Sequence, residues 1–431
     1  MRRRVFLALA VAACAQPSMA EAPPGSAPAS DSGPHPSDLL GASGDPAFLA
    51  WLNDFYARSL AAGWPRAVLD RELSGLSPDP RVTIHDASQP EFAMPVSDYV
   101  SRQVTAGAIS LGRQKRDGVA LLPKIKETYG VPTEVLTAVW GMESGFGAGQ
   151  GDFDIVRSLA TLAAEVPHRS KWAEDELNAC LKIITTGVAT RAQLKGSWAG
   201  AMGQTQLLPS TFLTTAVHAD GEGKPDIWNS SADALASAAN LLGKGGWRRG
   251  EGWAREVTLP AKFDYGLSEG PKQVPSWWAD KGARRADGAA WSAADAAAEA
   301  QLILPSGAGG PAFLLFPNHF AIRTYNNSLA YALAVGLLAD RIAGGATLVT
   351  PWPHETPLSL TDRLAAQTAL AKLGFNPGTV DGVIGLGSRQ ALRAWQKARG
   401  LPADGYLSPA MIQRLRAEMA AQGAAPAAAK P

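Results

Sequence analysis

Ala138-Val-Trp-Gly-Met-Glu143-Ser-Gly-Phe-Gly-Ala-Gly-Gln-Gly-Asp152 is the stretch from which the rest of this 431-residue chain is read. Just upstream, Tyr129-Gly-Val-Pro-Thr-Glu134 has the form of a helix start. Pro132 suits the first helical position, and Glu134 suits the positive end of the helix dipole. Val135, Leu136, Val139 and Trp140 then recur at the spacing of one buried helical face. Glu143 falls on that face, and Gly145 and Gly147 end the helix. A carboxylate there is disfavoured by desolvation and by the negative helix end, and both effects favour the neutral acid. An acid held protonated near neutral pH is what cleavage of a glycosidic bond needs at its leaving oxygen. The same pattern also suits a buried glutamate paired with an arginine or capping a backbone amide, because perturbed carboxylates are enriched at functional sites without being confined to them.

Downstream, two helices are predicted over 154–164 and 171–185, with Pro167-His-Arg169 in the turn that joins them. Gly196-Ser-Trp-Ala-Gly-Ala-Met-Gly-Gln-Thr-Gln-Leu-Leu-Pro-Ser-Thr-Phe212 comes next. Its small residues permit close backbone approach, and Ser197, Gln204 and Gln206 offer hydrogen bonds. Amides interleaved with Trp198 and Met202 favour a ligand-binding loop over a plain turn. A helix is predicted over 233–242. The region 250–320 resists phasing, with Trp277, Trp278 and Trp291 among Pro and Gly and room for short strands. Tyr325-Asn-Asn-Ser328 precedes a predicted helix over 329–342. Tyr325 and Tyr331 offer faces on which a sugar can pack, although core packing suits either.

Upstream of Glu143, Phe48, Leu49, Trp51, Leu52 and Phe55 open a helical stripe, and helices with short breaks continue to about residue 129. The phase of 100–111 is ambiguous. The composition, 46% hydrophobic and 18% charged, supports a sizeable core. A formal net charge of +1 gives no reason to expect a nucleic-acid partner. Two cysteines, Cys14 and Cys180, exclude a disulfide framework, and Cys180 reads as a packed core thiol.

Arg2-Arg-Arg4 followed by apolar residues 5–13 has the form of an export signal, too short to be a permanent membrane span. Ser18-Met-Ala20 suits cleavage to a soluble protein in the bacterial periplasm, whereas Val11-Ala-Ala-Cys14 resembles a lipobox that would make Cys14 a lipid anchor to the membrane. The expected organisation is a signal peptide over 1–20, a disordered tether over 21–45, a mainly α catalytic domain over 46–343 and a linker over 344–357. A compact domain over 358–418 and a disordered tail over 419–431 complete it. Within 358–418, three helices are predicted over 361–373, 388–399 and 408–419, a small unit able to fold alone.

These residues carry a resemblance. Trp140-Gly-Met-Glu-Ser144, the 196–212 segment, Asp226-Ile-Trp-Asn229 and Tyr325-Asn-Asn-Ser328 resemble the catalytic domain of B-type membrane-bound lytic murein transglycosylases. Leu373-Gly-Phe375, Asp381-Gly-Val-Ile-Gly385, Ala391-Leu-Arg-Ala-Trp-Gln396 and Asp404-Gly405 are similar to a peptidoglycan-binding domain. The resemblance implies a lysozyme-like helical fold and glycan strands of peptidoglycan as partner, cleaved between N-acetylmuramic acid and N-acetylglucosamine. By position it implies Glu143 as the catalytic acid and base. Tyr99, Ser197, Gln206, Tyr325, Asn326 and Tyr331 become groove residues. Arg169 is the one survivor, beside His168, of a place where the family carries paired arginines. It also implies an EF-hand-like calcium loop beginning at His218. Such a loop wants oxygen ligands at its first, third and fifth positions and a bidentate acid at the twelfth, where this chain has His218, Asp220, Glu222 and Asn229. No metal is therefore expected there; no cofactor and a monomer are also expected.

Two other readings compete. A hydrolytic muramidase would recruit Asp152 or Asp154 as a second carboxylate. A non-catalytic scaffold would only hold glycan, which an intact Glu143 argues against.

Overall fold

The computed structural model describes residues 45–87 and 94–424, with side chains through residue 421. The export signal, Cys14 and nearly all of the tether lie outside the described residues. None of the described helices is long and apolar enough to cross a membrane. The chain divides into two compact units. One holds the described residues up to 87 with 118–125 and 139–241, and the other holds 94–117, 126–138 and 242–424.

The first unit is helical. Its opening helix, Pro46–Ala61, starts where Asp45 accepts the N–H groups of Ala47 and Phe48 and turns Phe48, Leu52, Phe55 and Tyr56 inward. Helices Arg66–Leu73, Pro80–Ala87, Ile155–Glu165 and Ser170–Thr185 complete most of the core. Cys180 is buried there, as its apolar neighbours predicted. Two short strands, β1 (Phe153–Asp154) and β2 (Lys195–Gly196), pair antiparallel.

The second unit contains what the sequence left unphased. Strands β3 (Ala254–Thr258), β4 (Lys272–Gln273), β5 (Arg284–Arg285), β6 (Ala300–Ile303) and β7 (Ala312–Leu315) form an antiparallel sheet in the order β4-β6-β7-β3-β5. Leu302 pairs with Leu314, and with Val257 and Ala300 they face a cluster around Trp278. The indole N–H of Trp278 lies 2.9 Å from the Ala300 carbonyl and 3.1 Å from that of Gln273, so the buried donor is satisfied. The ambiguous 100–111 stretch belongs to two helices, Val96–Gln103 and Ala106–Asp117, both packed on Leu329–Ile342. A cavity of about 870 Å³ is lined by Val104, Ile109, Trp253, Phe313 and Asp340, with residues 345–352 along one side.

Three C-terminal helices, Leu360–Lys372, Leu386–Ala398 and Pro409–Ala424, surround Leu370, Leu392, Trp395, Ile412 and Leu415. The last one corrects the disordered tail expected from 419. Its alanines have high helix propensity, and the helix runs on through Ala424. These helices belong to the same compact unit as the sheet, and ion pairs fasten them to it. Glu269 stands on a left-handed backbone (φ 59) and lies 2.6 Å from both Arg389 and Arg393. Burial pushes the Glu269 carboxyl up, but the hydrogen bonds and charges of Arg389 and Arg393 outweigh it and hold the group below the usual carboxylate range. Residues 344–357 carry neither helix nor strand, as their prolines predict, yet they are pinned. Val349 and Thr350 donate N–H groups to Glu256 at 2.7 and 2.6 Å. Glu355, buried, accepts from Ser306 Oγ at 2.9 Å and from the Tyr406 hydroxyl.

Candidate active site

The helix carrying Glu143 spans Thr133–Ser144, its first hydrogen bonds running to the Pro132 carbonyl from Val135 and Leu136. Pro132 therefore sits one place before the first helical residue. The predicted single buried face is an understatement: Val135 to Trp140 and Met142 to Ser144 are buried on every side, and past the first turn only Gly141 is partly open. Helices apolar all round are core helices. Glu143 is 1% exposed within this apolar setting.

Beyond Glu143 the helix ends abruptly. Gly145, Phe146 and Gly147 take positive φ in succession, at 58°, 63° and 86°. A phenylalanine in the left-handed region is strained, and its neighbours must hold it there. Its ring lies edge-on to Trp140, centroids 6.0 Å apart, and covers Gly141, where an added Cβ would stand 2.7 Å from the ring. Ser144 fastens this exit. Its hydroxyl accepts the Gly147 N–H at 2.8 Å and donates to the Gln204 carbonyl at 2.5 Å.

The Gly196–Phe212 segment is seated against this exit through backbone. A Cβ on Gly151 would lie 2.0 Å from the Gly196 carbonyl oxygen, and one on Gly196 would lie 2.0 Å from that of Ala201. Only glycine permits those approaches. At the far end, Glu176 accepts the Ser210 N–H and hydroxyl at 2.8 and 2.7 Å. Burial pushes the Glu176 carboxyl up, opposed by those two bonds.

Within the segment the polar side chains divide. Ser197 Oγ accepts the Ala201 N–H at 3.0 Å, which leaves its own proton to donate. Gln206, with φ 51, uses its amide donors on the carbonyls of Gln150 and Gly203 at 2.9 and 2.8 Å. Gln204 is committed internally, donating to the Trp228 carbonyl at 3.2 Å and accepting from Ser231 Oγ at 3.0 Å. The sequence suggested Gln204 for a ligand, and the structure gives both ends of its amide to the protein.

Arg169 is held by Asp86 at 2.7 Å and lies 5.6 Å over the Trp198 ring, while His168 is largely exposed. His85 stacks on the same tryptophan, centroids 6.2 Å apart, and meets Phe153 edge-on. Neither Asp86 nor His85 was singled out in the sequence, because each meets its partner only through the fold. Asp154 caps the helix it precedes, accepting the Arg157 N–H, and pairs with Arg191 at 3.0 Å. Asp152 is exposed, and its charge acts on Arg81. Asp154 is thus occupied with structure rather than with a substrate.

Glu143, Arg169, Ser197 and Gln206 all belong to the first unit. Tyr99, Tyr325, Asn326 and Tyr331 belong to the second. There Tyr99 is half-buried on Val96–Gln103, which packs on the helix of Tyr331. Tyr325 and Tyr331 are buried, and Asn326 Oδ1 accepts the Ser328 N–H at 3.1 Å.

The His218–Asn229 loop is closed by its own hydrogen bonds. Asp233, 0% exposed, accepts the N–H groups of Ala219 and Asp226 at 2.6 and 2.8 Å. Asn229, at the position of the bidentate acid, donates its amide to Asp226 at 2.9 Å. The Trp228 carbonyl receives Gln150 Nε2 at 3.0 Å as well as Gln204, which ties the loop to the segment beside Ser144.

The Transglycosylase SLT domain family matches residues 47–340, and a peptidoglycan binding domain family matches residues 359–415. The chain is 31% identical over 225 residues to membrane-bound lytic murein transglycosylase B of Escherichia coli K12. That match covers 50% of this chain and 58% of the relative, so the chain spans less than two thirds of this curated relative. SltB3 from Pseudomonas aeruginosa, solved in complex with NAG-anhNAM-pentapeptide, is 43% identical with a TM-score of 0.82, covering 86% of this chain and 100% of that one. Escherichia coli lytic transglycosylase Slt35, solved in complex with calcium, is 26% identical with a TM-score of 0.59, covering 72% of this chain and 98% of that one. The fold is accordingly the mainly α, lysozyme-like architecture expected, joined to a small three-helix unit. By the match over 47–340, the chain belongs to the Transglycosylase SLT domain family.

Proposed function

We propose that the protein is a lytic transglycosylase that cleaves peptidoglycan between N-acetylmuramic acid and N-acetylglucosamine and leaves 1,6-anhydromuramic ends. The observation that carries this reading is Glu143, buried at the end of a core helix whose exit is stapled to the 196–212 segment through Ser144. Membership of the family and the likeness to SltB3 with an anhydro-sugar ligand support it.

In this mechanism the Glu143 carboxylic acid gives its proton to the glycosidic oxygen as the bond to muramic C1 breaks. The resulting carboxylate takes the proton of the same sugar's C6 hydroxyl, whose oxygen closes on C1. One residue serves both steps, and the tethered nucleophile needs no activated water, because its effective molarity is already high. Apolar Trp140, Met142 and Phe146 keep water from the reacting centre. Ser197, as donor, and Gln206 orient the sugar substituents, and Tyr99, Tyr325, Asn326 and Tyr331 contact glycan. Arg169, fixed by Asp86, meets the lactyl or peptide part. Residues 359–415 bind the wall. Such a substrate lies outside the cytoplasmic membrane, in keeping with the basic and apolar N-terminus, and the protein acts there as a monomer, either free or anchored through Cys14.

Muropeptide mass spectrometry of the full chain beside Glu143→Gln tests the proposal. The expected product is one water lighter than the hydrolytic one, and the variant should lose about 10²–10⁴-fold in rate while still folding and binding sacculi. A reducing-end product would mean a muramidase, and a variant with more than about a tenth of the parent rate would remove Glu143 from the chemistry.

A further inference from the structure

The loop beginning at His218, where the family resemblance implies a calcium site, has a histidine where the first ligand belongs, and its geometry says what that histidine does. His218 Nε2 accepts the Gly223 N–H at 2.8 Å. A neutral imidazole that accepts at Nε2 carries its proton at Nδ1. That Nδ1 lies 3.5 Å from Asp220 Oδ1 and 3.6 Å from Asp233 Oδ2, and these three groups alone among the described residues form a cluster able to hold a metal ion.

A calcium ion would need oxygen ligands at about 2.3–2.6 Å, six to eight of them. Here the ring presents a proton instead of a lone pair. Asp233 is committed to the N–H groups of Ala219 and Asp226, Asp220 Oδ2 accepts from Ser230 Oγ at 2.5 Å, and Asn229 is turned to donate. The residues do not fit the ion.

We infer that the Nδ1–H of His218 occupies the place of the cation, holding Asp220 and Asp233 together as a permanent, metal-free clasp. The distances exceed an ordinary hydrogen bond, so the proton serves both carboxylates electrostatically rather than bonding tightly to either. The clasp matters beyond the loop, because Ile227 and Trp228 receive Gln204 and Gln150 from the segment around Ser144. A calcium-dependent version of that support would respond to the metal content of the surroundings, whereas this one is constitutive.

Two substitutions of nearly identical shape separate the possibilities. His218→Asn keeps an N–H close to the position of Nδ1, while His218→Asp puts an anion there beside two others. Melting temperatures of the full chain are measured in EDTA and in about 5 mM calcium. The parent and His218→Asn should differ by less than about 1 °C between the two. His218→Asp should melt about 5 °C lower in EDTA and recover with calcium. Calcium stabilisation of the parent by more than about 2 °C would overturn the inference, and so would an Asp variant behaving like the Asn variant in both conditions. Should the Asp variant fail to fold at all, long-range ¹H–¹⁵N correlation on the parent decides. The ring must be neutral and protonated at Nδ1, and protonation at Nε2 refutes the clasp.

Discussion

Replacing Glu269 by glutamine should loosen the C-terminal helices from the sheet by about 3 kcal/mol at neutral pH. The figure comes from the two arginines it would abandon. Removing one partner of a fully buried ion pair costs about 3–5 kcal/mol, whereas an exposed pair contributes about 0–1. Arg393, 10% exposed, is close to the first case, and Arg389, at 33%, is close to the second. Each keeps one backbone carbonyl, Asp404 for Arg393 and Ile384 for Arg389, so the loss stays below the upper bound. The native carboxyl lies below its ordinary value, so its contribution is complete above about pH 4.3 and is lost as pH falls through the depressed native value. Urea unfolding of the two proteins should differ most at pH 7 and converge in acid. Hydrogen exchange should locate the difference in residues 386–398. A gap under about 0.5 kcal/mol at pH 7, or one unchanged at pH 3, would refute the reasoning. It would leave the C-terminal unit a tethered module rather than a fixed one.

Two further substitutions test the interior. Gly141→Ala in a helix ordinarily stabilises by about 1 kcal/mol; here the Cβ would meet the Phe146 ring at 2.7 Å, so a net loss of about 1–3 kcal/mol is expected in urea unfolding, partly recovered by adding Phe146→Leu. A neutral or stabilised Ala variant would mean that the ring has room to move. Asp340, beside the cavity, is pushed up to about 6 by burial, against the pull of the Trp253 N–H and Arg255. The folded state therefore holds an extra proton between about pH 4 and 6, and stability declines as pH rises through that window. Asp340→Asn should gain about 2 kcal/mol over the parent at pH 7.5 and nothing at pH 4, and a difference independent of pH would contradict the assignment.

The helices were legible wherever one local signal decided them. The predicted span 329–342 matches Leu329–Ile342, with Ser328 as the N-cap accepting the Tyr331 N–H. The sheet was not, because its strands are two to five residues long and Ala312–Leu315 is buried on both faces, which erases the alternation that announces a strand. Helical period alone put Glu143 on the buried face, where it lies. Its surroundings could not be read that way: Ser144 meets Gln204 across sixty positions and Arg169 meets Asp86 across eighty-three, and nothing local marks such pairs. Gln204 was misjudged for the same reason, its partners being the Trp228 carbonyl and Ser231.

Residues 196–207 rest on main chain where glycines bring backbone within reach of backbone, at Gly151, Gly196 and Gly203. Contacts of that kind depend on the absence of a Cβ at each glycine, with the side chains of Ile155 and Ile227 beside two of them. Variation can therefore explore Ala199 without touching those contacts, whereas Ser197 holds the Ala201 N–H and the three glycines leave no room for a Cβ. The close-packed glycines and the position left open to change are separate sets. One set can thus change by single steps while the other keeps the backbone in place.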